Sequence, residues 1–434
     1  MNYINIIRSQ TKLCCEIFEK AQEEVEKGVP SDRVLSKIFR SRKEIGSRDR
    51  RLISDLIFST FRWKGWLNIL KDKSQEEIFA LSLLLDGKTH YTIWNSWAQT
   101  LNENILSLNS LDFQDSIEEK SKVIMNEIGQ IDLFSVIEKL FPPWIYEKLL
   151  LPQDEILRKK LFIDFAKQMQ TRPPVWLRSS AKNPDKFSSI LRAADVKFVS
   201  HPKVKPAHAI TTPVNLNLLS SVKSAQYEVQ ELSSQAVGLV CSPKPEETWL
   251  DSCAGAGGKT LHLAHLLKGK GKVIAFDTRK NMLKKILSRS KKWGLRNISI
   301  IENKKKIFRD FRHGIDGVLV DAPCSGIGSW RRNPDARWRI NESEITDYSE
   351  LQYEILLNMS VLVKEGGALV FSVCSLTKLE TRDCIKRFLD HSDAFNLDPF
   401  TNPFTGKETD GTIEIWPQEN NSDGMFIAKM RKSI

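Results

Sequence analysis

Three stretches of different texture predict a multi-domain chain: an all-α amino-terminal domain over 1–142, a small α+β module over 143–226 and an α/β domain over 227–434. Three observations carry this. Apolar residues recur at helical spacing up to the break at Phe141-Pro142-Pro143-Trp144. Short helices and strands alternate over the next 70 or so residues. From about Tyr227 the chain falls into strand-loop-helix units, the signature of a doubly wound, largely parallel sheet.

The elements follow in order. Ile6, Ile7, Cys14, Ile17, Phe18, Ala21 and Val25 form one helical stripe, and Gly28-Val29-Pro30-Ser31-Asp32 ends it and caps the next helix. Leu52, Ile53, Leu56, Ile57, Thr60 and Phe61 form a second, with Arg48, Asp49, Arg50, Arg51 and Arg62 beside it as a basic or merely solvated face. Further helices are expected around Glu76–Leu85, Asp115–Ile128, Ile131–Phe141, Asp154–Gln170 and Pro184–Ala194. Val175–Arg178, Val196–Val199 and Ala207–Thr212 read as strands. Trp176 and Arg178 suit either an RNA contact or the core, with the core favoured.

The α/β segment carries the chemistry. Thr248–Asp251 is a strand that runs into Ser252-Cys253-Ala254-Gly255-Ala256-Gly257-Gly258-Lys259-Thr260 and then a helix. Such glycines let backbone approach a ligand closely, and a helix amino terminus favours a carboxylate or other anion. The spacing is not that of a phosphate loop, so ATP is disfavoured. Asp277 closes the next strand, Lys272–Asp277, where a carboxylate can take both ribose hydroxyls of a nucleoside. Ile298–Glu302, Gly317–Asp321 and Ala368–Val373 complete the expected strands. Gly317-Val318-Leu319-Val320 reads as buried strand, and Asp321-Ala322-Pro323-Cys324-Ser325-Gly326 breaks it at the carboxyl end, where open sheets place ligands. Cys374 ends the later strand. One strand-end cysteine is normally a small buried hydrophobe; two at one sheet edge can converge on one pocket.

Composition bounds the partners. Lys and Arg number 65 against 54 Asp and Glu, a net charge of +11 that favours nucleic acid, with a membrane surface as the weaker alternative. Apolar content of 41% and charged content of 27% exclude global disorder. Seven irregularly spaced cysteines argue against a disulfide framework and against zinc, so no metal is expected and the compartment is reducing. Without an apolar run near the ~18 residues of a membrane span or a signal-peptide core, a cytoplasmic protein with no membrane association is expected.

Asp251–Thr260, Asp321–Gly328 and Phe371–Leu376 resemble motifs I, IV and VI of the RNA cytosine-5 methyltransferases. Arg331–Trp338, Asp423–Ala428 and Gln230–Gln235 are similar to further signatures of that family. The resemblance implies a Rossmann-like methyltransferase domain and S-adenosylmethionine as cofactor. It implies Cys253, Ala254, Gly255, Ala256, Gly257, Gly258, Lys259, Asp277, Glu302 and Asp321 as cofactor-binding residues. It further implies Cys374 as nucleophile, Cys324 as the group assisting release and Asp321 on the base edge near ring nitrogen 3. Carbon 5 of cytosine is too poor a nucleophile unless a thiolate first adds at carbon 6, which is why such chemistry wants a thiol. More loosely, the amino-terminal helices with Asp49-Arg50-Arg51 resemble the NusB-like RNA-binding domain of RsmB-type bacterial small-subunit rRNA enzymes, and the middle module would match an RRM-like segment.

The chain departs from the family pattern at Gly255-Ala256 in motif I, at Met282 where an arginine is usual, at Glu302 where an aspartate is usual, and at Val373 where a threonine is usual. Lys378, Arg331 and Arg332 are candidates for activating a thiol. Lys291-Lys292, Lys304-Lys305-Lys306 and Arg331-Arg332 are candidate phosphate contacts to an unstacked RNA strand. The expected protein is a monomer acting on small-subunit rRNA. The alternatives are a tRNA substrate, a DNA cytosine enzyme, or a non-catalytic RNA-binding assembly factor.

Overall fold

The computed structural model describes residues 2–434 except 71–72, 102, 107–115, 130–131, 180–183 and 213–226. The chain divides into two units, Met1–Arg172 with Ser329–Glu342, and Pro173–Gly328 with Ser343–Ile434.

The first unit is helical: α1 (Asn2–Glu26), α2 (Ser31–Ser41), α3 (Ser47–Leu67), α4 (Gln75–Leu85), α5 (Thr92–Trp97), α6 (Glu103–Leu106), α7 (Ile117–Ile128), α8 (Leu133–Glu138), α9 (Ile145–Lys148) and α10 (Glu155–Met169). Asp115 and Ile131, two expected helix starts, lie outside the described residues. The stripe Cys14, Ile17, Phe18, Ala21 and Val25 is buried, as are Leu52, Ile53, Leu56, Ile57 and Phe61. Ser74 shows local sequence at work: its hydroxyl takes the Glu77 N–H while the Glu77 side chain accepts from the Ser74 N–H, a capping box that starts α4.

Helical packing does not stop at residue 142. Phe141 and Tyr146 pack their rings on Phe162, at centroid distances of 5.6 and 5.1 Å, so Pro142-Pro143 is a turn inside the unit and α9 and α10 belong to it. Arg62, read as part of a basic face, is buried and paired with Asp86 at 2.8 Å.

The second unit opens with β1 (Val175–Ser179), α11 (Pro184–Ala193), β2 (Phe198–Ser200), β3 (Ala207–Ile210) and β4 (Tyr227–Val229). They form an antiparallel sheet in the order β2-β3-β1-β4. Tyr227–Val229 therefore completes the small sheet and does not open the next domain: Tyr227 stacks on Phe187 at 5.5 Å and joins a core with Leu177, Leu191 and Ile210. The other face of this sheet, with Trp176, Ala207 and Ala209, shares one apolar cluster with the helix after β4, so module and α/β segment are a single packed body. Trp176 and Arg178 are core. The indole donates to the Asn421 carbonyl at 3.1 Å and the guanidinium to Gln230 Oε1 at 2.5 Å.

The α/β segment follows as α12 (Leu232–Cys241), β5 (Thr248–Asp251), α13 (Gly258–Leu266), β6 (Lys272–Ala275), α14 (Lys280–Trp293), β7 (Ile298–Ile300), α15 (Lys304–Phe311), β8 (Ile315–Asp321), α16 (Glu342–Ser360), β9 (Val363–Val373), α17 (Arg382–His391), β10 (Phe395–Leu397), β11 (Thr412–Ile415), α18 (Pro417–Asn420) and β12 (Met425–Lys432). The sheet runs β10-β12-β9-β8-β5-β6-β7, parallel from β9 to β7, with β12 antiparallel to β9. Both faces are covered: Val318 and Val320 of β8 pack with α16 and α17, and Leu319 packs with α12 and α13. That explains the continuous apolar run, since a strand buried on both faces has no polar side to alternate. Strand order reverses between β5 and β8, and the crevice beyond their carboxyl ends is where an open sheet binds ligands.

Candidate active site

A cavity of about 610 Å³ lies at that crevice, lined by the loop after β5, by Phe276 to Arg279 after β6, by Asp321 to Pro323 after β8 and by Leu351, Glu354, Ile355, Asn358 and Met359 of α16. Gly257 makes the loop possible. Its φ is +89°, and a Cβ there would sit 2.7 Å from Ile286 of α14, so only glycine fits without displacing the helix. The chain then turns into α13, whose first residues, Gly258 and Lys259, line the cavity.

Three carboxylates close the strands that frame this cavity, each in a different setting. Asp251 is buried and accepts from Thr260 Oγ1 at 2.6 Å; burial raises its pKa to about 7. Asp277 accepts the Gly255 N–H at 2.7 Å and the Arg279 N–H at 2.9 Å, and the Arg279 guanidinium spans both its oxygens. Burial works against its charge, but these bonds outweigh it and lower its pKa. Asp321 holds Lys259 Nζ at 2.7 Å on one oxygen and Ser372 Oγ at 2.8 Å on the other.

Beyond Asp321 the two thiols meet, with Cys324 and Cys374 sulfurs 3.3 Å apart. Cys374 terminates β9, and its carbonyl accepts the Gly328 N–H at 3.0 Å. Gly328 in turn accepts from Gly424 N–H at 2.9 Å, and a Cβ on Gly328 would sit 2.1 Å from the Gly424 oxygen, so motifs IV and VI and the closing Asp423-Gly424 pair need glycines to touch. The bond to Cys374, then burial, then the charges of Cys374 and Glu380 push the Cys324 thiol well above its ordinary pKa. Lys259 supplies the opposite charge. Burial disfavours its ammonium, yet Asp321 first, then Cys374 and Asp251, keep it protonated more firmly than usual. Cys253 also lines the cavity, but burial and the nearby Asp251 and Asp321 raise its pKa to about 12, so it stays a thiol.

Of the residues singled out in the sequence, Cys253, Ala254, Gly255, Ala256, Gly258, Lys259, Asp277 and Asp321 line the cavity, and Cys324 and Cys374 meet beside Asp321. Glu302 does not line it; it is exposed and 3.7 Å from Lys280. Arg279, which the sequence reading passed over while seeking an arginine at Met282, is the cation that meets Asp277. Ser372, Leu351, Glu354 and Asn358 were also missed; they fall inside ordinary strand and helix patterns and carry no local signal. Lys304, taken for a phosphate contact, lines the cavity. Arg331, taken for a thiol activator or phosphate contact, is buried in the helical unit, where Thr171 and the Arg172 carbonyl hold its guanidinium. Arg337 is likewise fully buried, donating to the carbonyls of Arg62, Leu140 and Met169.

Glycine loop, strand-end acids and switch-point cavity define a Rossmann-like site for a nucleoside-bearing cofactor, and the relatives below make it that of a methyltransferase using S-adenosylmethionine. Residues 238–431 match the family model described as 16S rRNA methyltransferase RsmB/F, and the chain belongs to that family. It is 37% identical over 213 residues to the probable ribosomal RNA small subunit methyltransferase B of Synechocystis sp., 48% of each chain. It is 30% identical over 301 residues to ribosomal RNA small subunit methyltransferase B of Sodalis glossinidius, 68% of this chain and 66% of that one. These matches thus span about half and about two thirds of the two relatives' lengths. A solved methyltransferase homologue from Pyrococcus horikoshii superposes with a TM-score of 0.55 at 26% identity, covering 66% of this chain and 93% of that one.

Proposed function

We propose that the protein transfers a methyl group from S-adenosylmethionine to carbon 5 of a cytosine in RNA, with small-subunit rRNA as substrate, through a covalent Cys374–cytosine intermediate. The observation that carries this reading is the pair of sulfurs 3.3 Å apart next to Asp321 of the cofactor cavity. A binding module needs neither thiol.

The residues present fit the cofactor. The Gly257 cradle and the amino terminus of α13 suit its carboxylate end, Asp277 suits its ribose, and Phe276, Pro323, Leu351 and Ile355 give an apolar wall for its base. Bound there, S-adenosylmethionine supplies an electrophilic methyl group. The chain's own residues do the rest. Asp321, fixed by Lys259 and Ser372, keeps acceptor capacity for the base edge near ring nitrogen 3. The Cys374 thiolate, in the field of Lys259, adds to carbon 6 and pushes electron density to carbon 5. After methylation the carbon 5 proton leaves, the ring double bond reforms and the Cys374 sulfur is expelled. Cys324, kept a thiol by its raised pKa, relays this proton: it takes the carbon 5 proton while passing its own to the departing Cys374 sulfur.

An unstacked base is required, so the target is a loop or an opened strand. We take the helical unit as a NusB-like RNA-binding part and the small sheet as an RRM-like one, in a cytoplasmic monomer. Bisulfite mapping of total RNA from a strain lacking this protein tests the substrate. One rRNA cytosine should lose its protection, and an unchanged rRNA profile, or loss at a tRNA position, would reject the assignment.

A further inference from the structure

The Glu380 carboxylate is fully buried and collects donors from both cysteine loops. From the Cys324 side it takes the Ser325 N–H at 2.8 Å and the Ser325 hydroxyl at 2.5 Å. From the Cys374 side it takes the Ser375 hydroxyl at 2.6 Å and the Thr377 hydroxyl at 2.9 Å. Gln352 of α16 adds an N–H at 3.1 Å and spends its other on the Pro323 carbonyl at 2.9 Å. Removing a charged acceptor from such a network leaves several buried donors unmet.

The two loops depend on it unequally. Cys374 follows a strand paired on both sides, through Ser372 with Asp321 and through Val373 with Phe426, and the Gly328 N–H holds its carbonyl. Cys324 sits in irregular chain. The Ala322 N–H reaches the Ser372 carbonyl, Gln352 holds the Pro323 carbonyl, and Ser325 bonds twice to Glu380 and, at 3.0 Å, to the Ser375 hydroxyl.

We propose that Glu380 is a positioning residue for the release step, fixing the Cys324 sulfur against Cys374 by gripping Ser325. This rests on the reading of Cys324 as the release group. The negative charge of Glu380 acts in the same sense, since it helps to keep the Cys324 sulfur protonated and, once stripped, strongly basic.

The test is radiolabelled RNA incubated with S-adenosylmethionine and full-length protein, run on a denaturing gel to separate stalled protein–RNA adduct from released product. Glu380→Gln, which turns one acceptor into a donor facing donors, should slow release at least about tenfold while covalent capture changes much less, so adduct accumulates. Ser325→Ala, which removes the hydroxyl bond from the Cys324 side and keeps the backbone one, should do the same more mildly and decides the matter if Glu380→Gln does not fold. Cys324→Ala runs in parallel as the reference. Reduced turnover in folded Ser325→Ala or Glu380→Gln protein without adduct, while Cys324→Ala accumulates it, would overturn the role of Glu380 alone. If Cys324→Ala itself gives no adduct, the release reading fails and the proposal falls with it.

Discussion

Cys374 and Cys324 nearly touch, yet one is held by backbone and the other by side chains. Cys374 caps a strand paired on both sides and lies in the field of the Lys259 ammonium. Cys324 lies on a loop after Pro323, where the bond to Cys374, then burial, and lastly the charges of Cys374 and Glu380 raise its pKa. In the proposed reaction the first is the nucleophile and the second the release group.

The sharpest way to break this contrast is to delete each sulfur. Cys374→Ala should abolish both methyl transfer and any covalent RNA adduct. Cys324→Ala should keep capture and lose about two to four orders of magnitude in release, seen as adduct on a denaturing gel. Equal behaviour of the two variants would remove the division of labour. A smaller effect is expected at the cation. Lys259→Met leaves the Asp321 carboxylate without its ion partner and the Cys374 thiolate without its field, and should cut single-turnover capture about a hundredfold. Normal capture would move the source of thiolate stabilisation elsewhere.

The smallest effect concerns stability. Asp251 is raised to about 7 by burial, above its unfolded value, so its protonated form stabilises the fold. That contribution is complete below about pH 4 and is lost as pH climbs to about 7. Between those limits the melting temperature of the wild type, compared with Asp251→Asn, should fall as pH rises. A parallel pair of curves would show that Asp251 does not titrate in this window.

Much of the site was legible because its residues sit at strand ends. Asp251, Asp277, Asp321, Cys324 and Cys374 each follow an apolar run, and the parallel register carries them to one edge. Glu302 misled for the same reason: it also follows a strand, but the chain turns it toward Lys280. Arg331 misled because a charge run reads as surface, whereas its guanidinium satisfies the Arg172 carbonyl inside the helical unit. The division into domains was less legible. Pro142-Pro143 punctuates the sequence without interrupting the aromatic packing, and Tyr227 looks like the start of a sheet it does not join. Lys259 was visible only as part of the glycine loop, since its meeting with Asp321 depends on two distant strands.

The most direct measurement is to trap the protein on small-subunit rRNA transcripts carrying 5-fluorocytosine, whose fluorine cannot leave as the proton does, and to identify the modified peptide by mass spectrometry. The account predicts RNA attached at Cys374, with Cys324 recovered as free thiol. Attachment at Cys324 would contradict it.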